Sequence, residues 1–287
     1  RGGAAAAACG ASSAGGLAPG ELGDEPRVLL EGRLVCVLWK PPGWTVSVQK
    51  EDDAAMTQAP QTARSPSRGP AASTPVPPQT QGRPLQEWVA ATLGGRHRIA
   101  LDASVAHGIV HRLDRDTSGA ILWARSYTGY YHARLHFAAR LLKKRYVCLC
   151  TGWLPRGLRS VEVPLREPDA RDGAAPTVAA ANGRPAFTEV LSADHLVDPA
   201  GLGVSLVHVR LHTGRRHQIR AHLAHCGHPL VGDAGYGGAT PAWCRRVFLH
   251  AGRLGFDTGD GPVDLEVPLP LDLRCALSHL RASCRTP

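Results

Sequence analysis

The sequence is poor in aromatic residues (5% of 287) and has one methionine. It has no apolar run near the roughly 18 residues that cross a bilayer, which excludes a membrane-spanning helix as the basis of function. None of the eight cysteines forms a C-x-x-C pair, so the usual zinc and dithiol redox arrangements have no support. A chain this long does not need a disulfide scaffold. The thiols are therefore expected to be reduced, and the protein intracellular: cytoplasmic, nuclear or organellar (mitochondrion or plastid). The chain begins at Arg1 rather than Met and reads as a fragment or a processed product. Its Ala/Gly-rich opening reads as disordered sequence or the end of a transit peptide.

Acid is scarce where base is plentiful. Lys and Arg total 33 against 24 Asp and Glu, giving a formal charge of +9 and a pI near 9.5. No Asp or Glu occurs from Thr117 to Val161, a window holding Arg125, Arg134, Arg140, Lys143, Lys144, Arg145, Arg156 and Arg159. The same holds from Pro199 to Gly232, with Arg210, Arg215, Arg216 and Arg220. Segregation of this kind suits a phosphate backbone, although a solvated basic surface would look the same.

The 43% apolar share supports a sizeable core. Residues 1–26 have too little hydrophobic content to pack, and order is expected from Arg27. The run from Leu34 to Trp39 reads as a buried strand ended by Lys40-Pro41-Pro42-Gly43. Residues 51–84 hold no aromatic, Leu or Ile and are expected to be a disordered Pro/Ser/Gln-rich insertion. A helix is expected from Leu85 to Gly94, a strand at Ala120–Ala124, a helix from Tyr127 to Leu142 and a strand at Arg145–Cys150. Strands at Ala186–Leu191 and Val204–Leu211 precede a helix from Arg215 to His225, with Ile219 and Leu223 turned inward and Arg216 and Arg220 sharing a face. Short strands at Val247–Leu249, Leu254–Phe256 and Val263–Val267 close the domain. Helices and strands do not alternate as βαβ units, which predicts an α+β domain on a mainly antiparallel mixed sheet flanked by helices. Residues 27–275 form that domain in this reading, and 276–287 form a tail.

Two segments concentrate polar chemistry. In His111-Arg112-Leu113-Asp114-Arg115-Asp116-Thr117-Ser118-Gly119, flanking arginines favour an ionised Asp114, which could act as a nucleophile, a base or a stabiliser of positive charge. The same residues also suit an ordinary turn. Thr213-Gly214-Arg215-Arg216-His217-Gln218-Ile219-Arg220 opens a helix with arginines nearby, suited to an anion or a buried carboxylate. His217, His222, His225, His228 and Cys226 invite a metal reading, but their spacing matches no zinc pattern, and no metal is expected.

Together these segments resemble the RluA-type family of RNA pseudouridine synthases. The first is similar to the family's signature around its aspartate. Lys143-Lys144-Arg145-Tyr146-Val147 resembles its tyrosine element, and the second segment, continued through His228-Pro229-Leu230-Val231-Gly232-Asp233, resembles a third. Lys40-Pro41-Pro42-Gly43 and Leu249-His250-Ala251 match more weakly. The resemblance spans Val28 to Asp272, interrupted by the insertion. It implies the pseudouridine synthase fold and an isomerase that converts uridine in ribosomal or transfer RNA to pseudouridine without cofactor or metal. It also implies Asp114 as the essential carboxylate, Arg220 as its ion-pair partner and Tyr146 as the residue stacked on uracil. Arg112 would enter the RNA stack, with His111, Arg115, Lys143, Lys144, Arg215, Arg216, His217 and Gln218 as further RNA contacts. Arg216 departs from the family, which often has threonine there. The expected partner is RNA, bound by a monomer away from membranes. The basic windows alone would also fit a non-catalytic RNA-binding protein that keeps the fold.

Overall fold

The structure, a computed structural model, describes residues 22–47, 82–168 and 175–283. Residues 1–21, 48–81 (which include 51–81 of the expected insertion), 169–174 and 284–287 lie outside the described residues.

A ten-stranded sheet organises the chain. Its strands are β1 (Arg27–Glu31), β2 (Val35–Lys40), β3 (Ser118–Ala124), β4 (Lys143–Thr151), β5 (Ser160–Val161), β6 (Thr188–Val197), β7 (Gly203–Leu211), β8 (Leu249–Asp257), β9 (Pro262–Glu266) and β10 (Arg281–Ala282). The order is β1-β2-β3-β8-β4-β7-β6-β10, with β9 on β8 and β5 on β6. Four helices join them: α1 (Leu85–Leu93), α2 (Tyr127–Ala138), α3 (Gln218–His225) and α4 (Leu271–Ser278). The expected α+β class with a mainly antiparallel sheet is what forms. Among the ten strands only β3 and β8 run parallel, pairing Ser118 with His250 and Gly119 with Ala251. Gly119 sits at φ 136°, and a Cβ there would overlap the Ala251 carbonyl and methyl. This close seam requires glycine.

β8 contributes to two cores, Leu254 and Phe256 to one and Leu249 and Ala251 to the other. One packs β1–β3 against α1 and α2 around Trp39, Trp123, Leu85 and Ile121. β2 and β3 are buried along their whole lengths, which explains why they read as unbroken apolar runs. The second core packs β4, β7 and α3 around Cys148, Val207, Ile219 and Leu223. Strand alternation puts Tyr146, Cys148 and Cys150 on that face and Leu149 on the other, where α4 brings Leu273.

Several boundaries differ from expectation. Leu22 packs on the first core, and the carbonyls of Gly23 and Asp24 accept hydrogen bonds from the indoles of Trp39 and Trp44. The end of the opening therefore packs although it is hydrophilic. Arg83–Pro84, the end of the expected insertion, pairs with Trp44–Thr45. The expected tail is partly built in, because Ala276 is buried on α4 and β10 pairs with β6. α2 stops at Ala138, since Arg140 turns left-handed and swings Leu142 into the core. β8 is one strand through Gly252 and Gly255, with a register shift against β4 between His250 and Arg253, where the sequence suggests two short strands. β6 extends to Val197 past a bulge at Val190–Ser192 and a polar stretch that hides the strand pattern. α3 begins only at Gln218 because His217 is left-handed, so Arg216 does not share a helix face with Arg220.

Candidate active site

The loop that carries Asp114 enters β3 and is held by its carbonyls. Lys40, at the end of β2, is 0% exposed. Its ammonium donates to the carbonyls of Pro41 (3.1 Å), Arg115 (2.9 Å) and Thr117 (2.8 Å). Three donors meet three acceptors, which is what allows a lysine to be buried here. Burial pulls its pKa down to about 7, while Asp114 and Asp116 oppose that shift. Gly43, at φ 82°, turns so that its amide also reaches the Arg115 carbonyl, at 2.9 Å. Arg246 donates to the Asp116 carbonyl at 2.8 Å and to the Ser118 hydroxyl at 3.0 Å, itself braced by Asp272 at 2.6 Å. Thr117 N–H closes the turn onto the Asp114 carbonyl at 3.1 Å. Every carbonyl from Asp114 to Thr117 is thereby engaged, two of them by charge-assisted bonds from Lys40 and one from Arg246.

The Asp114 carboxylate is 16% exposed. Arg220 Nη1 lies 3.5 Å from one oxygen and His217 Nε2 lies 3.8 Å from the other. The expected Arg220–Asp114 pair is thus present as a long contact, but Arg220 binds Asp233 more tightly. Two 2.7 Å bonds join its guanidinium to the Asp233 carboxylate, which is 2% exposed. Arg220 also stacks over the Tyr236 ring at 4.8 Å. The Tyr236 hydroxyl accepts from the Thr177 amide and meets His217 Nδ1 at 3.0 Å. One guanidinium thus sits between two carboxylates, fixed by the first and facing the second. Burial pulls His217 down to about 4, only partly opposed by Asp114, so the imidazole is neutral at pH 7. Burial and the nearby Asp114 charge push the Tyr146 phenol up, so it stays protonated.

In front of Asp114 opens a cleft of about 720 Å³. Asp114, Tyr146, Arg112, Lys144, Arg215, Arg216 and His217 all line it, with Arg134, Phe137 and Arg140 from α2 and the turn after it. Burial, with Arg215 nearby, pulls Lys144 down to about 8. Four of the expected RNA contacts have protein partners or positions of their own, and two of them, His111 and Gln218, border the cleft. Gln218 borders the cleft but is buried: its amide donates to Phe187 O and Thr188 Oγ1 and accepts from Thr213 Oγ1 and Arg215 N–H. It is a strut for the facing loop. His111 is another strut, since its Nε2 accepts the Leu122 amide and burial pulls it down to about 3. Arg115 turns away to pair with Asp116 at 3.0 Å, and Lys143 stands exposed beside Gly255. Neither lines the cleft.

The histidines do not converge on one point. His222 binds Thr188 and the Val163 carbonyl, while His228 binds the Thr151 carbonyl. Among the described residues no group of three His, Cys, Asp or Glu side chains is placed to hold a metal. Six cysteines are described, and all are free thiols. No described helix is long and apolar enough to cross a membrane.

Sequence reasoning assigned no role to Lys40, Arg246, Asp233 or Tyr236. A signal existed for Lys40, as a lysine closing a fully apolar strand just before Pro-Pro-Gly. For Arg246 there was only its place three residues before Leu249-His250-Ala251.

Residues 35–225 match the RNA pseudouridylate synthase family. A protein of Chloroflexus aurantiacus called an uncharacterized RNA pseudouridine synthase is 37% identical over 203 residues, covering 70% of this chain and 62% of that one. The ribosomal large subunit pseudouridine synthase D of Nitrosomonas europaea is 35% identical over 209 residues, covering 66% and 58% respectively. The chain thus spans about three fifths of the length of these curated relatives. The solved structure of human RNA pseudouridylate synthase domain containing 1 shares the fold, with a TM-score of 0.61 and 22% identity over 93% of this chain and 94% of that one. With the RluA-type motifs in order along the matched residues and the synthase fold built around them, the chain belongs to the RNA pseudouridylate synthase family.

Proposed function

We propose that this protein isomerises uridine to pseudouridine in a structured RNA of the ribosomal or transfer class, with Asp114 as the essential carboxylate. The observation that carries this reading is the pinned Asp114 carboxylate, open to a basic cleft beside the buried Tyr146 ring. The reaction breaks the N1–C1′ bond, turns the base and joins C5 to C1′. The proton lost from C5 balances the one gained at N1, so no water or redox partner is consumed. An ionised carboxylate beside C1′ stabilises the sugar as uracil departs, by adding to C1′ or by assisting proton loss at the sugar. Arg220 backs that carboxylate from outside the cleft and fixes its orientation, so it is a positioning residue. Tyr146, held neutral, offers its ring face to uracil and its hydroxyl to the sugar. A target base inside a helix is out of reach, so the uridine must leave its stack, with Arg112 at the exposed lip available to fill the space. Lys144, Arg215 and Arg216 hold phosphates along the walls.

The test is to incubate the protein with ribosomal and transfer RNA transcripts carrying tritium at uridine C5. Tritium release, with pseudouridine in the digested product, is expected from one of the two classes. No release from either would contradict the proposal.

A further inference from the structure

The outer face of α2 has no role in the site described above. Tyr127, Tyr131 and Leu135 recur every four residues there, and the last two are 61% and 64% exposed. Residues four apart stack along one side of a helix, so these three form a stripe facing solvent. The inward face of the same helix is accounted for, because Tyr130 and Ala133 are buried in the first core.

Two observations say what the stripe suits. First, it is continuous with the cleft: Arg134, Phe137 and Ala138 of the same helix line the cleft wall. Tyr131 lies seven residues before Ala138, about 10 Å along the axis. Second, α2 lies inside the long window without Asp or Glu, between Arg125 and Arg140. Asp102 accepts the Tyr127 hydroxyl at 2.7 Å and closes the far end of the stripe. An exposed aromatic ring on a basic surface that runs into an RNA-sized cleft combines the two elements of a single-strand platform: a π-face for a base and cations for the backbone.

We propose that the outer face of α2 is a second RNA contact surface, where an unpaired base flanking the target uridine stacks on Tyr131. This deepens the functional reading and rests on it. RNA leaving the cleft past Arg134 meets Tyr131 within about one helical turn, with Leu135 supplying apolar cover beside the ring. Tyr127, tied to Asp102, marks the outer limit.

The experiment measures binding of the full chain to an oligouridylate of about 20 nucleotides, longer than one single-strand site, and to uridine monophosphate, which has no flanking base. Wild type, Tyr131→Ala and Tyr131→Phe are compared, with thermal melting as the folding control. Tyr131→Ala is expected to weaken the long RNA by about 5- to 150-fold, the range for loss of one base–aromatic stack. Uridine monophosphate should bind wild type and Tyr131→Ala alike, and Tyr131→Phe should bind the oligouridylate like wild type. Equal long-RNA binding by Tyr131→Ala and wild type would overturn the proposal. So would a wild-type dimer in sedimentation that Tyr131→Ala abolishes while RNA binding is unchanged, which would assign the face to a second copy of the chain. Failure of tritium release by wild type would sink the synthase reading separately, since the binding comparison needs no turnover.

Discussion

Two loops face each other across the cleft and are held by opposite means. The loop presenting Asp114 is clamped at its backbone by buried cations from distant parts of the chain, Lys40 and Arg246. The loop presenting Arg215 and Arg216 is clamped by a neutral amide from its own helix, Gln218. The difference follows charge. Charge-assisted bonds fix the acidic loop more firmly than neutral ones would. The basic loop already has the buried Lys144 amine beside Arg215, and its strut, Gln218, adds no further positive charge. The loop carrying Asp114 gets the charged mount, and the loop carrying Arg215 and Arg216 gets the neutral one.

Breaking the charged mount should have the largest effect. Lys40→Met leaves three carbonyls without their charged donor, so stability should fall by on the order of 3 kcal/mol in denaturant titration. Enzyme that still folds should lose about 100-fold in kcat because Asp114 loses its aim. If Lys40→Met keeps wild-type kcat, the clamp does not govern chemistry. Gln218→Leu, the matching break on the other side, should cost about 1–3 kcal/mol and raise KM more than it lowers kcat. An equal kcat loss in the two variants would erase the distinction between the loops.

Acid should expose the buried histidines. His217 and His250, each near 4, and His111, near 3, have folded pKa values below the usual 6.5. The unfolded chain therefore binds more protons below pH 6.5, and stability falls as pH drops from 6.5 toward 4. Each neutral histidine contributes about 1.4 kcal/mol per pH unit to that slope. Removing one with His217→Gln should reduce the slope by that amount in urea titrations across this range. An unchanged slope would mean that His217 is charged in the fold. The smallest effect concerns Lys144, whose charge is lost through about pH 8. RNA affinity should weaken a few-fold between pH 7 and 9, and the salt slope should shrink by about 0.7. Lys144→Met should abolish that pH dependence, and its persistence would assign it to another group.

Much of this was legible in the sequence. The apolar runs of β2 and β3, the strand bearing Tyr146 and the α+β class could be read directly, and the motifs contain Asp114, Tyr146, Arg112, Lys144, Arg215, Arg216 and His217, which line the cleft. What escaped depended on contacts across long separations. Lys40 looks like an exposed strand end until a loop 75 residues away supplies the Arg115 carbonyl. Gln218 looks like a polar helix surface, because only the fold shows Phe187 and Thr188 behind it. Arg220 was matched to one carboxylate, yet Asp233 holds it more closely. The left-handed backbone at His217 shortened α3 in a way that helical periodicity cannot reveal.

The central claim is that Asp114 performs the chemistry while the walls of the cleft perform the binding. Single-turnover isomerisation and RNA affinity, measured together for Asp114→Asn, test it most directly. The account predicts affinity within about threefold of wild type, with the chemical step slowed by at least about 10,000-fold, equivalent to about 5.5 kcal/mol of barrier. Turnover by Asp114→Asn at a rate comparable to wild type would contradict it.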